Sequence, residues 1–234
     1  MTSINSKSRA SIFSSVSLPP IAPSKSEALV CFGTLDVFED VSISSAENSR
    51  AAAITSAEAR ARFLAGRRLL RGVLSRWTKT HPEEIQIAIN DRGKPFLANG
   101  FSNHFSISHS CDFVALAFAC TPIGIDIEKE RTIDACAITE RFFPQDGSVL
   151  LGSQANECDF FKLWTYREAA IKADGRGMAH LLPSTRIKTL SDSSALVEVE
   201  KHVWFAFSFA LNDGYHGSVA LNVTPKVIHW CDLR

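Results

Sequence analysis

Phe113 to Cys120 is the longest apolar run in the chain, eight residues with neither a charge nor a hydroxyl. A membrane span needs about 20 such residues, so this run is strand-sized. Because it is apolar at every position and not at every second one, it reads as a central strand covered on both faces. A chain of 234 residues, 45% of them apolar, can supply that cover as one large domain or two small ones.

The charges exclude one class of partner. Lys plus Arg and Asp plus Glu both number 25, which leaves no basic excess to drive binding to a nucleic-acid backbone, so any anion site must be local. The six cysteines (Cys31, Cys111, Cys120, Cys136, Cys158 and Cys231) form no CxxC pair and read as reduced thiols of a cytoplasmic protein. The first 26 residues are rich in serine and carry Lys7, Arg9 and Lys25 but no acid. That composition fits a disordered tail or an organellar transit peptide, and the lack of an Arg-rich amphipathic helix favours the tail.

Ordered structure is expected from Ala28, where Ala28 to Val37 reads as a strand after Pro19-Pro20 and Pro23. Thr55-Ser56-Ala57-Glu58 has the capping-box pattern and opens a helix to about Trp77, with Phe63, Leu70, Leu74 and Trp77 on its apolar stripe. Arg62 and Arg67 fall on the two shoulders of that stripe, and Arg60 and Arg71 farther round. Ile85 to Ile89 alternates as a strand, Asn90 to Gly93 is a turn, and Phe105 to Ile107 is a short strand. A second helix spans about Asp159 to Ala173 and stops at Asp174-Gly175. Strands are expected again at Leu196 to Val199, Val203 to Phe209 and His216 to Val223.

Val114-Ala115-Leu116 followed by Thr121-Pro122 is echoed by Val219-Ala220-Leu221 followed by Thr224-Pro225, which points to two similar α+β halves. The copies then diverge. The first continues into Gly124-Ile125-Asp126-Ile127-Glu128, the second into Val227-Ile228-His229-Trp230.

Alternation along a strand puts Asp126 and Glu128 on one face, about 6.6 Å apart, within reach of one cation. Oxygen-only ligands suit magnesium, although the same pattern describes a solvated strand face. Glu168 and Lys172 lie four apart on one helix face, either as a surface ion pair or as a third carboxylate beside a cation for phosphate. On that helix Phe160, Trp164 and Ile171 mark a buried stripe, and Trp164 reads as core. Asp91-Arg92-Gly93-Lys94-Pro95-Phe96 is a turn with exposed charges. Ser106-Ile107-Ser108-His109-Ser110 places a histidine between hydroxyls at a strand end, as an anion contact would.

In this order the segments resemble the 4'-phosphopantetheinyl transferase superfamily, in its long, monomeric, surfactin-type branch. The resemblance rests on Arg62-Phe63-Leu64-Ala65-Gly66-Arg67, Gly93-Lys94-Pro95, Ile107-Ser108-His109-Ser110, Gly124 to Glu128, and Trp164-Thr165-Tyr166-Arg167-Glu168-Ala169-Ala170-Ile171-Lys172 with Gly175 and Gly177. It covers residue 28 to the C-terminus. It implies an α+β fold of two α/β halves related by pseudo-twofold symmetry, each a small, mainly antiparallel sheet with a packed long helix. The expected division is a disordered tail over residues 1–27, a first half over 28–130 and a second over 131–234.

The resemblance also implies transfer of phosphopantetheine from coenzyme A to a serine of an apo acyl or peptidyl carrier protein, by a monomer that needs neither nucleic acid nor membrane. Asp126, Glu128 and Glu168 match the magnesium-binding acids, with manganese as a substitute, and Glu168 and Lys172 the catalytic pair. Arg62, Arg92, Gly93, Lys94, Pro95, Ser108 and His109 match coenzyme A contacts, joined at the pyrophosphate by Asp126, Glu168 and Lys172. Two positions depart from the pattern: Ser106 replaces an Asn, and Arg167 a Lys. The alternatives are a degenerate module that binds coenzyme A or a carrier without chemistry, which would be expected to lack an acid, and another magnesium-dependent phosphotransferase. The chain has neither a GxxxxGK[ST] loop nor a kinase motif set.

Overall fold

The computed structural model describes residues 13–15, 18–19, 21–98, 101–143, 157–177, 181–211 and 214–234. Five strands form the first sheet: β1 (Phe13–Ser15), β2 (Glu27–Thr34), β5 (His104–Ser110), β6 (Phe113–Ala119) and β12 (Val227–Asp232), in the order β1-β12-β2-β6-β5. The second sheet runs β7-β11-β10-β9-β8, from β7 (Ile123–Lys129), β8 (Thr185–Leu190), β9 (Ser194–Val199), β10 (His202–Leu211) and β11 (Tyr215–Leu221). A separate hairpin joins β3 (Ile87–Ile89) to β4 (Pro95–Leu97). Among the described residues, four α-helices accompany them: α1 (Ser45–Ala52), α2 (Ala57–Thr78), α3 (Ala135–Phe142) and α4 (Glu157–Asp174).

The layers are α2, first sheet, second sheet and α4, an α+β arrangement. β6 explains the order. Its Val114, Leu116 and Phe118 pack with Leu69, Leu70, Val73 and Leu74 of α2. Its Phe113, Ala115, Ala117 and Ala119 turn the other way, to Ile123, Ile125 and Ile127 of β7 and Val219 of β11. All seven residues are buried, as a strand apolar at every position requires. On the far side, α4 lays Leu163, Ala169, Ala170 and Ala173 against Val197, Val199 and Ala206.

The expected boundary at 130/131 does not coincide with the sheets. β7 pairs with β11 of the second sheet, and β12 returns to lie parallel to β2 in the first. Each half thus gives a strand to the other's sheet, which ties the two halves together. Part of the expected serine-rich tail is described. Phe13–Ser15 lies parallel to β12, and the Pro19 carbonyl accepts from the Trp77 indole N–H at 2.9 Å. Residues 1–12, 16–17 and 20 of the expected tail lie outside the described residues.

Two local readings shift. The N-cap of α2 is Ser56, whose Oγ accepts from the Ala59 amide. The reciprocal capping box sits at α1, between Ser44 and Glu47. Arg71, read as lying away from the apolar stripe, is 1% exposed. Burial is tolerable because its Nε donates to Glu47 of α1 at 2.6 Å and its Nη1 to the carbonyls of Ile85, at 3.0 Å, and Pro82.

Candidate active site

Between the halves lies a cavity of about 340 Å³, within the range of small-molecule sites. α2 lends it Arg62 and Arg67, the β3–β4 turn Arg92, Gly93 and Lys94, β4 Pro95, β5 Ile107 and His109, and α4 Ile171 and Lys172. Its titratable lining among the described residues is Arg62, Arg67, Arg92, Lys94, His109 and Lys172, without a carboxylate. A concave surface of that sign selects an anion. The cavity walls partly desolvate the otherwise exposed His109 ring and, with the nearby Lys172 and Arg62 charges, hold it below the ordinary histidine value. At neutral pH His109 is thus a neutral hydrogen-bonding group.

Lys172 joins this cavity to the acids. Its Nζ lies 2.6 Å from Asp126 Oδ1 and 3.9 Å from Glu168 Oε2. Burial works against the ammonium, but Asp126 and Glu168 outweigh it and raise its pKa. Burial pushes the Glu168 carboxyl up to about 8, the Asp126 charge adds to the rise, and a hydrogen bond from the Trp164 side chain opposes it. Trp164, Glu168 and Lys172 recur every four residues along one partly buried face of α4. Trp164 is therefore a half-exposed neighbour of the acids, not the core residue expected.

α4 reaches the acids because it lies almost backbone to backbone on β7. A Cβ on Gly124 would stand 1.9 Å from the Ala169 oxygen and 2.4 Å from the Ala173 nitrogen. Thr165 and Ser218, both fully buried, join α4 to β11 by a 2.8 Å hydroxyl hydrogen bond beside Asp126, the strand partner of Ser218.

Two expected coenzyme A contacts point elsewhere. Ser108 is 4% exposed, and its Oγ donates to Asp126 Oδ1 at 2.8 Å while accepting from the Ile127 amide and from Lys172. Lys94 borders the cavity, but its ammonium donates to the Lys172 and Ala173 carbonyls at the end of α4. Arg167, where the family pattern has Lys, is buried with its guanidinium 4.0 Å from the centre of the Phe143 ring. Missed by the sequence reading were Gly124, Thr165, Ser218 and Ser110. Of these, Gly124, Thr165 and Ser110 stand inside the motifs that carry the resemblance.

Among the described residues, no three acid, His or Cys side chains already enclose one point as a metal cage would. The donors nonetheless fit a hard divalent cation. Asp126 Oδ2 is buried without a hydrogen-bond partner, and burial and the Asp126 and Glu128 charges keep Glu168 from ionising at its ordinary value. A cation at these oxygens satisfies both.

The comparisons with known proteins agree with this geometry. A model of the 4'-phosphopantetheinyl transferase superfamily matches residues 122–223, and one of the 4'-phosphopantetheinyl transferase N-terminal region matches 37–121. The chain is 32% identical over 200 residues to the 4'-phosphopantetheinyl transferase ffp of Bacillus subtilis, covering 78% of this chain and 89% of the relative. It is 33% identical over 178 residues to the 4'-phosphopantetheinyl transferase Sfp of Bacillus subtilis strain 168, covering 70% and 79%. The 4'-phosphopantetheinyl transferase gsp of Aneurinibacillus migulanus is 41% identical over 120 residues, half of this chain and 49% of its own. The chain belongs to the 4'-phosphopantetheinyl transferase superfamily, in the branch of these Bacillus-type enzymes.

Proposed function

We propose that this protein transfers 4'-phosphopantetheine from coenzyme A to a serine hydroxyl of an apo acyl or peptidyl carrier protein and releases 3',5'-ADP. The carrying observation is that Lys172 belongs to two structures at once, the carboxylate-free basic cavity and the cluster of Asp126 and Glu168. A pyrophosphate whose nucleotide end fills that cavity then meets the acids at its reacting end. The serine oxygen bonds to the β-phosphorus, the bond from that phosphorus to the leaving ADP oxygen breaks, and negative charge builds on the departing phosphate. Lys172 offsets that charge, and Arg62 and His109 hold the nucleotide end. Glu168, a carboxylate 3.9 Å from Lys172 at the reacting end, would take the serine proton. Asp126, Glu128 and Glu168 would hold the magnesium, which neutralises pyrophosphate charge when bound.

Both walls of the cavity come from one chain, which supports a monomer. The unpaired thiols of Cys31, Cys111, Cys120, Cys136 and Cys231 suit the cytoplasm, and no helix among the described residues is long and apolar enough to cross a membrane. The test incubates the protein with coenzyme A, magnesium and an apo carrier protein and weighs the carrier by mass spectrometry. The carrier should gain one phosphopantetheine. Asp126→Ala and Glu168→Gln should each reduce the rate at least 100-fold at saturating magnesium. No mass gain with the wild type overturns the activity, and wild-type rates in both variants overturn the acid assignment alone.

A further inference from the structure

β5 and β7 lie at the edges of different sheets and share no backbone ladder, yet three serines join them. Ser106, Ser108 and Ser110 stand at alternate positions of β5 and are all buried. Their hydroxyl oxygens accept from the amides of Ile125 at 3.1 Å, Ile127 at 3.3 Å and Lys129 at 3.1 Å. Side chains here replace the strand that β7 lacks on this edge, and the buried amides are satisfied across the junction of the halves.

The hydroxyl protons separate the three serines. Ser108 donates to Asp126 Oδ1 at 2.8 Å and Ser110 to Glu128 Oε2 at 3.2 Å. In each case the acceptor belongs to the residue just before the amide that the same serine receives. For Ser106 that residue is Gly124, so Ser106 serves the backbone alone. The hydroxyls at 108 and 110 therefore fix the height of β7 and share in holding its two carboxylates, beside Lys172 at 2.6 Å from Asp126 Oδ1 and Arg131 at 3.0 Å from Glu128 Oε2.

We propose that Ser110 is a positioning residue for the cation site: its hydroxyl, bridging the Lys129 amide and the Glu128 carboxylate, orients Glu128 as a metal ligand. The proposal rests on the reading of Asp126, Glu128 and Glu168 as metal ligands. Groups that orient ligands in this way typically contribute 10- to 100-fold to metal affinity.

The test titrates Mn²⁺ into the coenzyme A-loaded protein and follows free Mn²⁺ by electron paramagnetic resonance, with melting curves in parallel. Ser110→Ala should weaken Mn²⁺ about tenfold or more. Ser106→Ala loses the same kind of amide acceptor but no carboxylate contact, so it should lower the melting temperature and keep wild-type Mn²⁺ affinity. Ser110→Thr and Ser110→Val, nearly equal in shape, serve should the alanine variant not fold, and only the threonine should bind Mn²⁺ as the wild type does. Wild-type affinity in Ser110→Ala or Ser110→Val, or equal weakening in Ser106→Ala, overturns the proposal. A wild-type protein that transfers phosphopantetheine but shows no Mn²⁺ affinity overturns the ligand reading as well.

Discussion

Gly124→Ala tests whether the approach of α4 to β7 sets the catalytic geometry. The new Cβ would meet the Ala169 oxygen at 1.9 Å and the Ala173 nitrogen at 2.4 Å, where ordinary contact begins at 3.4 Å. These are backbone atoms one helical turn apart, so no side-chain rotation relieves the clash. The strand and helix must separate by about 1.5 Å, the difference between those contacts. Asp126 rides on the strand, and Glu168 and Lys172 on the helix, so the separation falls between them. A misplacement of about 1 Å costs a factor of about 100 in rate, and overpacking of this kind costs about 1–3 kcal/mol, or roughly 5 °C in Tm for a chain of this length. The carrier mass assay gives kcat and KM, and circular dichroism gives the melt. Because Arg62 and His109 are carried by α2 and β5, kcat should fall about 100-fold with little change in KM for coenzyme A. Wild-type kcat in a folded variant refutes the argument.

Two further perturbations examine how the halves are held. Lys94, pushed down to about 8 by burial, is neutral when folded but still protonated when unfolded between about pH 8 and its ordinary 10.5. In that window the unfolded state binds the extra proton, so stability rises with pH by about 1.4 kcal/mol per unit from this group. Lys94→Met should lose that rise in melts from pH 7.5 to 10, and identical pH courses for the two proteins would contradict the burial of the ammonium. Arg71→Met leaves Glu47 buried without its close partner. It should cost about 3–5 kcal/mol, a Tm drop on the order of 10 °C, whereas adding Glu47→Leu should recover most of the loss. A double variant as unstable as the single one would show that packing, not charge, dominates there.

The expected residues came together to the extent that their chemistry was local. Asp126 and Glu128 share a face because strand alternation is a property of neighbours, and Glu168 and Lys172 because helical spacing is. Arg71 was misjudged because its partner, Glu47, is 24 residues away, on a helix whose own Ser44-Ser45-Ala46-Glu47 signature went unread. Trp164 was assigned to the core because aromatic spacing alone does not tell a buried stripe from the rim of a site. Ser108 and Lys94 carry groups that suit an anion, and only the fold shows those groups engaged with Asp126 and with the end of α4. Sheet membership was least legible, since nothing in β7 or β12 as a string says which sheet receives it.

That exchange explains why the echo in the sequence carries chemistry in one copy only. β7 and β12 each follow an echoed strand, and each enters the sheet of the opposite half. On β7 the helix-facing positions are Gly124, Asp126 and Glu128, and the missing ladder on its far edge is replaced by serine hydroxyls that can hold carboxylates. β12 is flanked by β2 along its whole length and by β1 at Ile228 to Trp230, so its second edge is partly taken up by a strand and not by side chains. Its corresponding Cys231 is buried against α2, and Ile228 packs into the core between the sheets, with Trp230 against it. A strand paired on both sides is suited to closing a sheet. A strand with one unpaired edge at the junction of the halves can instead present acids to a cavity that both halves build.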